Sequence, residues 1–280
     1  MDKYLIHNFL GIQGFHIAWY GFLTVMGIVG GIILAIQRMR KQNTNVEMLI
    51  DILLGMLPLS FVGARLYYVA FHWSEYAGDM QAILNIRDGG QALYGSVIGG
   101  LIGTWIVCRI RRYSLLSICD WMFPCLLVGQ IIGRWGNFVN QEAYGRLITN
   151  EHLQFFPVGV YIDALGQWRQ ATFFYEALWN LCVLVLILFL EMRWHQKGMV
   201  TALYMIGYGT GRFMIEGLRA DSLYLTEGIR VSQLLSGILV ILGVFWLYRI
   251  FHRSETDSKT ELKTGDSAAK KTGTNKGGSI

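Results

Sequence analysis

Seven long stretches of the chain consist almost entirely of apolar residues and are separated by shorter polar segments. A helix of about 20 such residues, within a range of about 17–25, is long enough to cross the hydrocarbon core of a bilayer. The stretches, numbered here as spans one to seven, are Ile17–Gln37, Leu49–Ala70, Ala92–Cys108, Leu115–Gly133, Phe173–Leu190, Met199–Ile215 and Val231–Tyr248. The pattern predicts an all-α integral membrane protein with seven transmembrane helices.

Glycines recur within these spans, most densely in span three. They stand there at Gly95, Gly99, Gly100 and Gly103. Small residues at such spacing let membrane helices approach each other closely. We therefore interpret most of these glycines as helix-packing positions.

Basic residues mark one side of the predicted membrane protein. They cluster after span one (Arg38–Lys41), after span three (Arg109–Arg112), after span five (Arg193–Lys197) and in the segment from Arg249 onward. Lys and Arg concentrate in cytoplasmic loops, so the N-terminus is expected outside and the C-terminus inside. We expect residues 1–253 to form the membrane-spanning domain. The polar residues 254–280 are expected to form a disordered cytoplasmic tail.

Two connections on the outer side are too long to be tight turns. They run from Phe71 to Gln91 and from Arg134 to Thr172. Long connections of this kind are usually functional or contain structure of their own. We expect the second to form a small extracytoplasmic head between spans four and five.

Composition narrows the class of protein. Only 15% of the 280 residues are charged, against about 25% in ordinary soluble domains, which excludes a soluble globular enzyme. The net charge of +5 is carried mainly by the loops and the tail, so no nucleic-acid partner is expected. No cluster of Cys, His and Asp has metal-ligand spacing, and no metal or other cofactor is expected.

Ionisable side chains inside spans are costly and are functional candidates by default. With the N-terminus outside, five of them lie near the outer ends of their spans: Arg65, Arg134, Glu176, Arg212 and Glu216. The arginines and glutamates could simply neutralise one another, as buried ions must. Two arginines at one depth instead suggest a bound anion, and the abundant anion at that depth is a phospholipid phosphate, which an arginine fork binds well.

Four sequence runs resemble the prolipoprotein diacylglyceryl transferase family. The longest is Gly133–Gly145, which places one arginine, two asparagines and a glutamate among glycines. The others are Trp19–Gly21 in span one, Gly63–Leu66 in span two and Tyr208–Arg219 in span six. The resemblance covers nearly the whole chain up to Tyr248, and the long run is highly specific.

The resemblance implies an activity and its partners. Members transfer the diacylglyceryl group of phosphatidylglycerol to the lipobox cysteine in the signal-peptide segment of a preprolipoprotein. A thioether forms and glycerol phosphate is released, which is the first step of bacterial lipoprotein maturation. The implied location is the bacterial cytoplasmic membrane.

The reaction that the resemblance implies needs groups for the phosphate and for the thiol, and the polar residues near the outer ends of the spans are the candidates. Arg134 and Arg212 would bind the lipid phosphate and stabilise the leaving group, while Tyr20, Tyr94 and Glu216 would handle the thiol proton or support the arginines. The expected phosphatidylglycerol-binding residues are Arg134, Asn137, Asn140, Glu142, Gly145, Tyr208 and Arg212.

Two positions depart from the family pattern. Tyr94 stands where many members have a histidine that is often proposed as catalytic, and Gln170–Ala171 stands where members commonly have His-Pro. None of the six histidines falls within a span. A transporter or a non-catalytic phospholipid-binding protein remains as an alternative from another functional class.

Overall fold

A computed structural model of the chain describes residues 2–8, 16–85, 89–194, 196–220, 224–226 and 229–273. This part of the chain is mostly helical. Its α-helices are α1 (Trp19–Lys41), α2 (Glu47–Phe71), α3 (Trp73–Tyr76), α4 (Met80–Leu84), α5 (Leu93–Arg111), α6 (Leu115–Asn140), α7 (Thr172–Arg193), α8 (Met199–Glu216) and α9 (Val231–Gly273). Three antiparallel two-stranded sheets pair β1 (Tyr4–Ile6) with β2 (Ile17–Ala18), β3 (Gly159–Ile162) with β4 (Gln167–Gln170), and β5 (Tyr224–Thr226) with β6 (Ile229–Arg230).

Among the described residues, six helices are long and apolar enough to cross a membrane. They are α1, α2, α5, α6, α7 and the part of α9 from Val231 to His252. These helices overlap predicted spans one to five and seven, with ends that differ by several residues, which confirms a mostly helical, multi-pass chain. Predicted span six is the helix α8, but it is not one of the six, because its polar side chains Arg212 and Glu216 and its glycines lower its hydropathy.

The helix α9 extends beyond its apolar part. Its backbone is helical as far as Gly273, so it includes the first part of the segment for which the sequence predicts a disordered tail. Extending an existing helix requires no new nucleation, and the segment contains good helix formers such as Lys, Glu and Ala. Disorder of the tail itself stays a prediction.

The chain divides into two compact units, one comprising Val29–Cys125 and the other Met1–Ile28 with Leu126–Ile280. Within the first unit, α2 and α5 pack through glycines. A Cβ atom at Gly63 would overlap the carbonyl oxygen of Gly95, and one at Gly99 would overlap that of Leu59. This close approach of the two backbones confirms the packing interpretation of the span-three glycines.

In the second unit, α8 packs against both α7 and α9. A Cβ atom at Gly207 would lie 2.7 Å from Cγ1 of Val183 in α7, and one at Gly209 would lie 3.0 Å from the carbonyl oxygen of Ser236 in α9. The indole of Trp179 donates a hydrogen bond of 2.8 Å to the carbonyl oxygen of Gly207. The glycines of α8 therefore serve close packing, and they fix the rotation of the helix that carries Arg212.

The connection between α6 and α7 is folded, as predicted for a head. It contains a 3₁₀ turn at Glu151–Leu153 and the β3–β4 hairpin, in which Gly159 pairs with Gln170. Two reciprocal hydrogen bonds join the hairpin to the end of α6. Gln141 Nε2 donates to Asp163 Oδ2 at 2.8 Å, and the backbone N–H of Asp163 donates to Gln141 Oε1 at 2.9 Å.

Candidate functional site

Glu176 lies at the centre of a charged cluster formed by α6, α7 and α8. Its Oε1 accepts a hydrogen bond of 2.5 Å from Nη2 of Arg134, and its Oε2 accepts one of 3.0 Å from Nη1 of Arg212. The Glu176 side chain is only 3% exposed, whereas those of Arg134 and Arg212 are 19% and 15% exposed. One buried carboxylate therefore holds the guanidinium groups of two other helices.

Arg212 makes a second ion pair within α8. Its Nη2 lies 2.8 Å from Oε2 of Glu216, which is one turn further along the helix. The same nitrogen lies 3.5 Å from the hydroxyl of Ser232 in α9. The spacing of four residues puts Arg212 and Glu216 on one helix face. The arginines and glutamates of the cluster are thus paired, as the neutralisation alternative predicts, although both arginines stay partly exposed.

Arg134 also contacts the polar run that follows it. Its Nη1 donates a hydrogen bond of 3.2 Å to Oδ1 of Asn137. The amide of Asn137 donates at 2.8 Å to Oε1 of Glu142, and the amide of Asn140 donates to the same oxygen at 3.3 Å. Glu142 is exposed. Asn137 therefore links the partly buried Arg134 to an exposed carboxylate through one side chain.

A reversal of the backbone brings these side chains together at the end of α6. Gln141 and Ala143 both adopt the left-handed conformation, with φ of 54° and 55°, which ends the helix after Asn140. The hydroxyl of Thr172 then donates a hydrogen bond of 2.5 Å to the carbonyl oxygen of Ala143. The turn is thereby fixed to the first residue of α7.

Gly145 packs closely against Gln170 and Thr172 and leaves no room for a side chain. Its backbone N–H donates a hydrogen bond of 2.9 Å to the carbonyl oxygen of Gln170. A Cβ atom there would lie 2.7 Å from Cβ of Gln170 and 2.9 Å from Cγ2 of Thr172. The sequence predicts a lipid-binding role for Gly145, but these contacts account for the glycine without any ligand.

Two of the predicted tyrosines lie in the same unit as the cluster. Tyr208, one turn before Arg212 in α8, stacks on Tyr204 with ring centroids 5.3 Å apart. Tyr20, in the first turn of α1, is 44% exposed. A Cβ atom at Gly136 would lie 2.7 Å from its ring, so Tyr20 contacts α6 two residues from Arg134.

Arg65 belongs to the unit Val29–Cys125 and has a different environment. It is 7% exposed and donates hydrogen bonds to four backbone carbonyls. These belong to Ala82 at 2.6 Å and to Ile83, Gly89 and Gly90 at 2.9 Å each. Its guanidinium also lies 5.0 Å from the ring of Tyr76. In the described part of the chain, Arg65 therefore holds the connection that leads into α5.

Tyr94 lies in the first turn of α5, directly after that connection. It is half-buried, and its ring centroid lies 6.4 Å from that of Tyr67 in α2. The backbone N–H of Ala92 donates a hydrogen bond of 3.0 Å to the carbonyl oxygen of Ala64. Ala64 and Arg65 of α2 therefore both bind the segment that leads to Tyr94.

Two arginines outside the predicted set bind the C-terminal end of α8. Arg146 Nη2 donates a hydrogen bond of 3.0 Å to the carbonyl oxygen of Gly217, and Arg230 donates to that of Glu216. The last carbonyls of a helix have no partner within the helix and carry partial negative charge. Arg146 and Arg230 thus stabilise the turn that carries Glu216.

The structure brings most of the predicted residues into one unit. Those linked by hydrogen bonds or ion pairs are Arg134, Asn137, Asn140, Glu142, Arg212 and Glu216. Tyr20, Gly145 and Tyr208 belong to the same unit, and Tyr94 belongs to the other. Among the described residues, no group of three or more His, Cys, Asp or Glu side chains is arranged to hold a metal ion.

Comparison with known proteins points to one family. A family model described as prolipoprotein diacylglyceryl transferase matches residues 7–249. A phosphatidylglycerol–prolipoprotein diacylglyceryl transferase of Clostridium novyi is 41% identical over 242 residues, which cover 85% of this chain and 93% of the relative. One of Streptococcus suis is 42% identical over 234 residues, covering 81% and 86%, and one of Finegoldia magna is 40% identical over 234 residues, covering 83% and 91%.

Proposed function

The chain belongs to the prolipoprotein diacylglyceryl transferase family, and we propose that its charged cluster carries the transfer. The chain is a transferase of the first step of lipoprotein maturation. In the proposed reaction, the cysteine sulfur of a lipobox forms a bond to a glycerol carbon of phosphatidylglycerol. The bond from that carbon to the phosphate oxygen breaks, glycerol phosphate leaves with the electron pair, and the thiol proton passes to a base.

The observation that carries this proposal is the pair of arginines on Glu176. An arginine has five N–H donors, and in the described part of the chain Arg134 uses Nη1 and Nη2 for Asn137 and Glu176. Its remaining donors and its 19% exposure suit a phosphate ligand. Negative charge grows on the departing phosphate, and fixed cations in a site of low dielectric stabilise it. Arg212 is proposed to share that role.

The group Asn137, Asn140 and Glu142 is proposed to bind the glycerol headgroup. Headgroup hydroxyls both donate and accept hydrogen bonds. The exposed Glu142 offers carboxylate oxygens and the two asparagines offer amide groups, all joined at Oε1 of Glu142. Because Asn137 also binds Arg134, contacts at the headgroup would orient the arginine.

A tyrosine hydroxyl is proposed to position the lipobox thiol by a hydrogen bond. A thiol has an ordinary pKa of about 8.5, and the thiolate is the nucleophile, so a base or a positive field must help to form it. Glu216 is 2% exposed and paired with Arg212, which supports a role in positioning that arginine. Tyr20 and Tyr94 remain the candidates for contact with the thiol.

We further propose seven spans, with the N-terminus outside and the C-terminus inside, in the bacterial cytoplasmic membrane. The close packing of α8 between α7 and α9 supports its inclusion as the sixth span, and the Lys and Arg clusters support the orientation. The proposed domain is residues 1–253, followed by the polar tail. Phosphatidylglycerol and the lipobox segment of a preprolipoprotein are the proposed partners.

The test uses purified protein, phosphatidylglycerol and a lipobox peptide. We expect release of glycerol phosphate and a gain in peptide mass of one diacylglyceryl group. A peptide with serine in place of the lipobox cysteine is the matched control and should release none. A transporter or a non-catalytic phospholipid-binding protein would bind the lipid without release, and that result would overturn the proposal.

A further inference from the structure

Asn180 in α7 is a deeply buried amide to which the described part of the chain offers no hydrogen-bond partner. It is 1% exposed, and neither its Oδ1 nor its Nδ2 has a hydrogen-bond partner among the described residues. An amide buried in this way is costly unless a hydrogen-bond partner binds it, and inside a membrane-spanning helix bundle that partner is a neighbouring group, an ordered water or a ligand. Such a side chain within a membrane helix is therefore a candidate for ligand contact.

Asn180 belongs to a polar layer one helical turn below the charged cluster. It follows Glu176 by four residues, so the two side chains lie on one face of α7, separated by about 6 Å along the axis. In α6, Gln130 precedes Arg134 by four residues and donates a hydrogen bond of 3.1 Å to the hydroxyl of Tyr204 in α8. Its Oε1 is buried and has no partner among the described residues. Both residues lie further from the α6–α7 connection than the charged cluster does.

A phospholipid has polar groups at two depths, its phosphate and its ester carbonyls, which correspond to the charged cluster and to the deeper layer of Asn180 and Gln130. One end carbon of its glycerol carries the phosphate, and the other two carbons carry ester-linked acyl chains. With the phosphate at Arg134 and Arg212, the ester carbonyls extend toward the acyl chains and thus toward the deeper layer. A carbonyl oxygen accepts hydrogen bonds, and the Nδ2 group of Asn180 donates them.

We propose that Asn180 binds an ester carbonyl of the diacylglyceryl group and selects ester-linked lipids. This inference rests on the proposed function, because it takes the phosphate position from it. The diacylglyceryl group keeps both esters during transfer, so the contact is available in substrate and product alike. Asn180 would therefore act mainly on lipid binding and less on the rate of the chemical step.

The experiment compares diester phosphatidylglycerol with its diether analogue, which has the same headgroup and no ester carbonyl. Initial rates over a range of lipid concentrations give KM and kcat, and the lipid-induced rise in unfolding temperature reports binding. For the wild type, KM for the diester should be about 3- to 10-fold lower than KM for the diether, the size expected for one hydrogen bond. Asn180→Leu should raise KM for the diester and leave that for the diether unchanged. Leu181→Ala, a neighbour that is 44% exposed, is the control and should keep the preference.

Equal KM values of the wild type for the two lipids would overturn the inference. An equal rise in KM for both lipids in Asn180→Leu would overturn it as well. If Asn180→Leu does not fold, Asn180→Ser retains a smaller donor and should show an intermediate preference, and the wild-type comparison decides independently. Failure of the proposed function would be visible separately, as no glycerol phosphate from either lipid. The unfolding-temperature comparison would then still decide whether Asn180 distinguishes ester from ether.

Discussion

Arg134 and Arg212 come from different helices and bind opposite oxygens of one carboxylate. The distances to Oε1 and Oε2 of Glu176 are 2.5 Å and 3.0 Å. Because the two oxygens are fixed within one planar group, the carboxylate sets the relative position of the two guanidinium groups. Under the proposed function, two fixed cations would face one phosphate without having to reorganise when charge develops on it.

Arg134→Ala should abolish transfer while leaving membrane insertion intact. The variant removes the donors that are proposed to bind the phosphate and the link to Asn137. Arg134→Lys should recover little activity, because an ammonium group is a point charge without the planar fork. The measurement is the initial rate of glycerol phosphate release. Arg109→Ala, in the last turn of α5 and outside the charged cluster, serves as the control. Substantial activity in Arg134→Ala would contradict the phosphate-binding role.

Glu176→Ala should destabilise the protein and inactivate it. Removing one partner of a buried ion pair leaves the other charge uncompensated, which lowers the free energy of unfolding by about 3–5 kcal/mol. Thermal unfolding in detergent measures the loss. The double variant with Arg134→Ala should lose less than the sum of the single variants, since the two residues share an interaction.

The matched control for Glu176 is Glu151→Gln, an exposed position in the head, and it should unfold as the wild type does. Additive losses in the double variant would show that Arg134 and Glu176 are not coupled.

The sequence could predict those parts of the site that depend on helix spacing. Arg212 and Glu216 are four residues apart, so their pairing follows from helix geometry alone. The apolar lengths likewise predicted the six long helices. The sequence grouped Arg65 with Arg134 only because both lie near the outer ends of their spans. In the structure, Arg65 binds backbone carbonyls of α4 and of the connection between α4 and α5.

Contacts between distant segments could not be predicted in this way. Arg146 and Arg230 bind carbonyls at the end of α8, and no periodic pattern marks an arginine whose partner is a backbone oxygen. The packing role of Gly145 against Gln170 and Thr172 likewise depends on how the head folds back onto the start of α7.

The proposed orientation predicts which loops are accessible from outside the cell. After replacement of the four native cysteines, Lys41→Cys should resist membrane-impermeant thiol reagents in intact cells, and Glu151→Cys should react. Both positions are exposed in the structure, so a difference in labelling reports the side of the membrane. Labelling of both after permeabilisation is the control. The reverse pattern would invert the topology and place the cluster on the cytoplasmic side.

Tyr94→Phe should lose only part of the activity, about 2- to 10-fold, and Tyr94→His should remain active. A phenol has an ordinary pKa of about 10 and is therefore a poor base at neutral pH, whereas its hydroxyl can position a substrate by a hydrogen bond worth roughly 0.5–1.5 kcal/mol. The half-buried position in the first turn of α5, on a segment held by Arg65, suits such a role. Initial rates of glycerol phosphate release across pH distinguish the two roles, because removing a positioning group lowers the rate without changing the shape of the profile. If Tyr94→Phe is as inactive as Arg134→Ala, the hydroxyl is essential and the positioning role is wrong.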